Sequence, residues 1–300
     1  MPVNHRERRR GGVGRRPGIL VTSALAVLLG GMVAAGLVLG RHPATASHAL
    51  GMARRAVGAA AAGRRSVEGV TGTSTLPTDV SRIRSVVVLG DSVTTGSTCD
   101  CTPFGDLVAA RLSSRLGHRV AVTEDGVDGS TVRFLRQQLE ADDDVRTDVR
   151  RADLVLVTTG ANDLLDLAGR ENDTPACAES CFGPRARSAA GGVGGIVDRI
   201  RGLNPDARIV VTDYWNVFTD GDSVSAGTTR YNRAVTQAFD DALHAVVSPT
   251  GATWVDLVEP FSQVAAGGAP LLLADGDHPS AAGHRRIAEA VLVGLGASGG

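Results

Sequence analysis

The sequence contains no lysine, and only 3% of its 300 residues are aromatic. All 31 basic residues are arginine, which in a chain with 38 glycines is more typical of GC-rich coding than of any function. Polar residues are not in excess, because 43% hydrophobic and 21% charged residues are ordinary for a globular protein. This composition excludes a wholly disordered chain and allows one sizeable core or two small ones.

Negative charge is nearly absent from the N-terminal part of the chain. Residues 1–65 hold eleven arginines and a single acid, Glu7, whereas residues 66–300 hold twenty arginines and thirty-one acids. The net charge of −1 therefore describes neither part. The first part also contains the uncharged segment 19–40, which as a helix is long enough to cross a hydrocarbon core of ~30 Å. This segment favours membrane targeting over nucleic-acid binding, and the acidic remainder would repel a polyanion.

We expect residues 1–46 to be a signal peptide or signal anchor built on segment 19–40. Arginine-rich flanks stay in the cytoplasm, so the chain after Gly40 is expected outside it. Small residues at 44–46 fit a cleavage site, but the apolar run exceeds the ~7–15 residues of an ordinary signal peptide. Secretion and retention in the membrane both remain open. Residues 47–83, rich in small and polar residues, are expected to be a linker.

Cysteine is scarce, and its four residues form two close pairs in sequence, Cys99 with Cys101 and Cys177 with Cys181. An even number of cysteines in an exported protein favours disulfides. Zinc is the alternative, but these spacings do not match the usual C-x2-C pattern, so we predict disulfides and no metal. Four cysteines allow three pairings, and the sequence does not choose among them.

From residue 84 onward, short β-branched segments alternate with longer helical patterns. The predicted strands are Ser85–Leu89, Val120–Thr123, Leu154–Thr158, Arg208–Thr212 and Thr253–Leu257. The predicted helices are Phe104–Leu116, Val132–Leu139 with its continuation, Ala186–Leu203, Thr229–Val247 and Ala281–Leu295. This alternation is typical of a parallel sheet covered by helices on both faces. We therefore predict one three-layer α/β domain over residues 84–296.

Polar motifs follow the predicted strands, where ligands bind in open parallel sheets. The first strand is followed by Gly90-Asp91-Ser92, the second by a glycine-rich segment that includes Gly129, and the third by a Gly-Ala-Asn-Asp segment. The last helix is preceded by an Asp-x-x-His segment. Each motif alone is weak, since Gly-Asp-Ser is usually a turn and Asp-x-x-His is usually a cap. Four such motifs in this order predict a single catalytic site.

These residue types together predict a serine hydrolase. A serine hydroxyl is a poor nucleophile until a base removes its proton, and His278 is the available base for Ser92, with Asp275 to orient it. Acyl transfer also needs donors that stabilise the oxyanion. The backbone N–H groups of Ser92 and Gly129 and the side-chain amide of Asn162 are suitable donors.

The four motifs resemble those of the SGNH (GDSL-type) hydrolase superfamily over roughly residues 85–295. The resemblance implies a flavodoxin-like five-stranded sheet of order 2-1-3-4-5 and hydrolysis of esters without metal or cofactor. It also implies that Ser92 is the nucleophile, His278 the base and Asp275 its partner. Ser92, Gly129 and Asn162 would then form the oxyanion hole.

Two positions differ from the family pattern. Val93 replaces the leucine of the GDSL motif, and we expect it to be buried. Glu124 stands where related sequences often have asparagine, which leaves Gly126 as the alternative to Gly129. We expect Asp277 to face solvent rather than replace Asp275 as the histidine's partner, and we expect His284 to be exposed on the last helix.

Three aromatic residues follow the fourth predicted strand, namely Tyr214, Trp215 and Phe218. They are candidates for a pocket that binds the acyl or leaving group, and core packing is the alternative. The predicted function is an exported, monomeric serine esterase or lipase acting on a small-molecule, lipid or glycan ester. The alternatives are an acyltransferase or deacetylase of cell-surface glycans, and a non-catalytic wall-binding domain. The complete serine, histidine and aspartate set disfavours the wall-binding alternative.

Overall fold

A computed structural model describes residues 80–169, 178–218, 225–262 and 270–297. The predicted signal segment 1–46 and most of the predicted linker lie outside these residues. Among the helices of these four ranges, none combines the length and apolarity needed to cross a membrane. The short 3₁₀ turn Val80–Arg82 opens the described part, and its Val80, like Ile83, is buried in the core. The folded domain therefore includes residues that we assigned to the linker.

The core of the domain is a five-stranded parallel sheet. Its strands are β1 (Ser85–Gly90), β2 (Ala121–Glu124), β3 (Leu154–Thr158), β4 (Arg208–Thr212) and β5 (Thr253–Val255). The strand order is β2-β1-β3-β4-β5, and every neighbouring pair is parallel, which confirms the order expected from the family resemblance. All five residues of the central β3 are buried, as expected for a strand covered on both faces.

Helices flank this sheet. They are α1 (Ser92–Thr95), α2 (Phe104–Leu116), α3 (Val132–Ala141), α4 (Asp143–Arg151), α5 (Glu179–Leu203), α6 (Ala226–Val247), α7 (Val258–Ser262) and α8 (Ala281–Gly294). Two groups of helices pack together, α2 with α8, and α5 with α3 and α6. Side chains cap several N-termini, as when the Ser280 hydroxyl accepts from the backbone N–H groups of Ala282 and Gly283 at the start of α8.

Two helices differ from the sequence prediction. The predicted helix after residue 132 is interrupted because the Asp142 carboxylate accepts the N–H groups of Asp144 and Val145, which ends α3 and starts α4. The helix α5 begins at Glu179, seven residues before the predicted start at Ala186, and continues through Pro184. Burial of Phe182 on the N-terminal side of this proline provides packing that favours the helix there.

Candidate active site

The nucleophile candidate lies in a sharp turn between β1 and α1. Gly90 has φ +147°, and a Cβ atom at this position would lie 1.9 Å from the Thr158 carbonyl oxygen on the neighbouring strand. Only glycine fits this turn. The Asp91 carboxylate caps α1 by accepting the Val93 N–H at 3.0 Å, and Val93 is buried as expected. These contacts place Ser92 at the carboxyl end of β1, where a ligand crevice is expected.

Ser92, His278 and Asp275 form a continuous hydrogen-bonded chain. The Ser92 Oγ lies 3.0 Å from the His278 Nε2, although 186 positions separate the two residues. The His278 Nδ1 lies 2.9 Å from the Asp275 Oδ2. The side chains of His278 and Asp275 are 27% and 44% exposed, so the chain is open to solvent on one side. An imidazole held between a hydroxyl and a carboxylate can take the hydroxyl proton.

Two backbone N–H groups, in addition to the His278 imidazole, orient the Asp275 carboxylate. Its Oδ1 accepts the N–H groups of Asp277 and His278, both at 3.0 Å. Partial burial raises the pKa of Asp275, but the hydrogen bonds from His278 outweigh that effect and leave this pKa below its ordinary value. The carboxylate is therefore ionised at neutral pH. We expected the neighbouring Asp277 to face solvent, but this residue is partly buried.

The segment after β2 brings the two candidate glycines close to α1. A Cβ on Gly126 would lie 2.0 Å from the Thr94 Oγ1, so this glycine permits close packing. Gly129 is exposed with φ +72°, and a Cβ there would meet no atom within 4 Å. In the described part of the chain, the N–H groups of Ser92 and Gly129 donate to no acceptor. Gly126 is partly buried against α1, whereas Gly129 is exposed, so Gly129 is the more accessible of the two to a bound group.

Asn162 lies in the 3₁₀ turn Ala161–Asp163 that follows β3. Its Nδ2 donates to the Ser130 carbonyl at 3.0 Å, which holds the amide beside the segment that contains Gly129. The turn depends on Gly160, where φ is +126° and a Cβ would lie 2.3 Å from the Phe239 ring. An amide nitrogen has two hydrogens, so the second remains for another acceptor.

Asp128 ties the nucleophile loop to the glycine-rich loop, and the sequence did not single it out. Its carboxylate accepts from the Thr95 Oγ1 at 2.6 Å and from the Ser97 Oγ at 2.7 Å. These two hydrogen bonds lower the pKa of Asp128 and keep it ionised. The only signal in the sequence was its position directly before Gly129. The segment from Thr95 to Ser97 is thereby fixed beside the candidate oxyanion donor.

The aromatic cluster after β4 is packed in the core, which is the alternative that the sequence left open for it. Tyr214 is buried and donates from its hydroxyl to the Asp91 Oδ2 at 2.5 Å. Burial raises the pKa of Asp91 to about 6, although the Tyr214 hydrogen bond lowers it in part. Phe218 is also buried. The Trp215 ring stacks on Phe261 and borders a cavity of about 420 Å³.

His284 is completely buried, so our expectation that it is exposed was wrong. It lies on the side of α8 that packs against α2, and its ring stacks on Phe104 with 6.4 Å between centroids.

Cys99 and Cys101 form a disulfide, which is consistent with one of the three pairings that the sequence left open. Cys181 is also disulfide-bonded. Cys177 lies outside the described residues.

Comparisons with known proteins identify the family of the sequence and structures of similar fold. The sequence matches the GDSL-like lipase/acylhydrolase family over residues 88–286. Similar solved structures include a lipase from a goat rumen metagenome, with 19% identity, a TM-score of 0.58 and coverage of 70% of this chain and 96% of that one. They also include an extracellular lipase from Streptomyces rimosus, with 21% identity, a TM-score of 0.53 and coverage of 72% and 100%.

An acetylxylan esterase from Geobacillus stearothermophilus has the same fold, with 20% identity, a TM-score of 0.51 and coverage of 72% of this chain and 95% of that one. No curated protein is significantly similar to this chain in sequence. The family match covers about two thirds of the chain and includes Ser92, Gly129, Asn162 and His278. The chain belongs to the GDSL-like lipase/acylhydrolase family and is an ester hydrolase of the SGNH type.

Proposed function

We propose that the protein is an exported serine esterase that cleaves carboxylic esters through an acyl-enzyme on Ser92. The observation that carries the proposal is the chain of hydrogen bonds from the Ser92 Oγ through the His278 ring to the Asp275 carboxylate, at 3.0 and 2.9 Å. A carboxylate-oriented imidazole in contact with a serine hydroxyl is the arrangement that serine acyl transfer requires.

In the first step, the Ser92 Oγ attacks the ester carbonyl while His278 Nε2 takes the hydroxyl proton. Asp275 stabilises the imidazolium that forms, because its own charge is maintained at neutral pH. The oxyanion of the tetrahedral intermediate accepts from the free N–H groups of Ser92 and Gly129 and from the second amide hydrogen of Asn162. The imidazolium then protonates the leaving alkoxide, the C–O bond breaks, and the acyl group remains on Ser92.

In the second step, water replaces the alcohol in the site. His278 takes a proton from this water, the resulting hydroxide attacks the acyl carbon, and the same donors stabilise the second oxyanion. His278 returns the proton to the Ser92 Oγ as the carboxylic acid leaves. The partial exposure of His278 and Asp275 gives water access to this face of the site.

Replacement of the nucleophile tests the mechanism. The Ser92→Ala variant is expected to lose hydrolysis of p-nitrophenyl acetate while its circular dichroism spectrum stays that of the wild type. The matched control is Ser114→Ala, because Ser114 is exposed on α2, outside the triad. This control should keep wild-type turnover. Turnover retained by Ser92→Ala would refute the assignment of the nucleophile.

Deacetylation of glycans is a second candidate function within the same mechanism. The open face beside Gly129 and the partly exposed triad suit an ester whose alcohol is bulky. One structural neighbour is described as an acetyl-xylooligosaccharide esterase. A panel of p-nitrophenyl esters from acetyl to long-chain acyl, together with an acetylated glycan, separates the candidates. Preference for acetyl groups supports deacetylation, whereas long-chain preference supports a lipase.

Export is the part of the proposal that rests on the sequence and on cysteine chemistry. The arginine-rich start and the apolar segment 19–40 favour targeting to the membrane. The Cys99–Cys101 disulfide is the form that cysteines adopt in an oxidising compartment. Fractionation of cells that produce the full chain should find activity outside the cytoplasm. Activity confined to the cytoplasm would refute export.

A further inference from the structure

The disulfide and the buried histidine lie together, and none of these three residues belongs to the Ser92 triad. One donor atom from each of Cys99, Cys101 and His284 lies within 4.8 Å of the other two. Both cysteines are partly exposed on the loop that precedes α2, whereas His284 is wholly buried on α8. The loop and α8 therefore bring two sulfur atoms and one imidazole together in a single cluster.

His284 has an unusual environment for a polar side chain. Within the described residues, neither of its ring nitrogens has a hydrogen-bond partner. A buried polar group without a partner costs free energy, which is why such groups are rare in folded proteins. An imidazole nitrogen without a hydrogen-bond partner can instead bind a metal ion.

We propose that Cys99, Cys101 and His284 form a metal site in the reduced protein, selective for thiophilic cations such as Zn²⁺. Two thiolates and one imidazole are a donor set that zinc accepts, and a water molecule completes the tetrahedron. Ligand bonds of about 2.0–2.3 Å require donor atoms about 3–4 Å apart. The imidazole donor already lies within 4.8 Å of both sulfur atoms, and reduction of their bond would let the sulfur atoms separate to that distance. The metal supplies the partner that His284 lacks among the described residues.

The disulfide and the metal exclude each other, so the site depends on the redox state. A dithiol reductant transfers two electrons and two protons to the Cys99–Cys101 bond and is itself oxidised to a disulfide. The two thiols formed then lose their protons to solvent as Zn²⁺ binds. Partial exposure of both cysteines gives a small reductant access to the bond. In the oxidised protein the two sulfur atoms remain bonded to each other, and no thiolate is available.

Cobalt is a suitable probe because Co²⁺ bound by thiolates absorbs through sulfur-to-metal charge transfer. A Cys177→Ser/Cys181→Ser variant keeps Cys99 and Cys101 as its only cysteines. After anaerobic reduction it should bind one Co²⁺ per chain with this absorption, and Zn²⁺ should displace the cobalt. The same variant without reduction should show no such band. A reduced protein that binds no cobalt stoichiometrically would overturn the proposal.

Two further measurements assign the ligands. A Cys99→Ser/Cys101→Ser variant should lack the band, and a band that persists there would overturn the proposal. Loss of an outer-shell partner of a metal already costs about 10–100-fold in affinity, so His284→Gln should weaken cobalt binding at least that much. If this variant does not fold, alkylation of the reduced wild type decides instead. Zn²⁺ should protect Cys99 and Cys101 from iodoacetamide, and unprotected cysteines would overturn the proposal.

Discussion

The hydrogen bond between Tyr214 and Asp91 predicts a pH-dependent loss of stability when Tyr214 is replaced by phenylalanine. Both side chains are buried, and the tyrosine hydroxyl donates to the Asp91 Oδ2 at 2.5 Å. The substitution leaves this oxygen without its donor. A hydrogen bond to a charged group is worth about 1.5–3 kcal/mol, and one between neutral groups is worth about 1 kcal/mol. The charge state of Asp91 therefore sets the size of the loss.

The pKa of Asp91 determines the direction of this dependence. Burial raises it from 3.8 to about 6, so between these values the folded protein binds more protons than the unfolded chain. This single group therefore lowers wild-type stability by about 3 kcal/mol as pH rises through that window. The Tyr214 hydrogen bond opposes the shift by lowering the pKa. Without it the pKa of Asp91 rises further, and the additional loss of stability appears when the carboxylate is ionised.

We expect Tyr214→Phe to lose about 2 kcal/mol of unfolding free energy at pH 8 and about 1 kcal/mol at pH 5. Urea unfolding at both values, followed by circular dichroism, measures the difference. The control is Thr212→Val, which removes a buried hydroxyl whose partner is the non-titrating Thr158 hydroxyl at 2.7 Å. Its effect should not depend on pH in this range. An equal loss for Tyr214→Phe at both pH values would refute the reasoning.

Four further substitutions test the site and the turns that support it. Asn162→Ala should lower kcat by about 10²-fold or more with a smaller change in KM in steady-state kinetics, and a change in KM alone would contradict an oxyanion role. Asp275→Asn should lower kcat by at least about 10²-fold without unfolding the protein, and unchanged kcat would argue against its orienting role. Gly129→Ala should lower the free energy of unfolding, measured by thermal denaturation, by only ~1–2 kcal/mol, which is the cost of a non-glycine residue in the left-handed conformation. Gly90→Ala should cost more, because its Cβ would overlap the Thr158 carbonyl, and equal costs would contradict the described turn.

Much of the fold and the motif positions followed from the sequence because both depend on local patterns. Short β-branched segments marked the five strands, and the family resemblance implied their order. The rule that ligands bind at the carboxyl ends of parallel strands then grouped Ser92 with the residues that follow the other strands. The hydrogen bond between Ser92 and His278 spans 186 positions, and only the closed fold shows it.

The errors concerned residues whose environment depends on how elements pack. His284 was expected to be exposed because arginines follow it, but α8 turns that position toward α2 and Phe104. Tyr214 was a pocket candidate because it follows a strand, yet its hydroxyl reaches Asp91 across 123 positions. The helix α5 continues through Pro184, which local propensity disfavours, because tertiary burial outweighs it. No single-sequence pattern records these long-range contacts.

Covalent labelling by a fluorophosphonate tests the central claim most directly, because such probes react with a serine only when a base activates it. The account predicts one adduct per chain, located on Ser92 by peptide mass spectrometry, absent from Ser92→Ala and formed much more slowly in a His278→Ala variant. A folded wild-type protein that remains unlabelled would indicate a non-catalytic domain. An adduct on a serine other than Ser92 would contradict the proposed nucleophile.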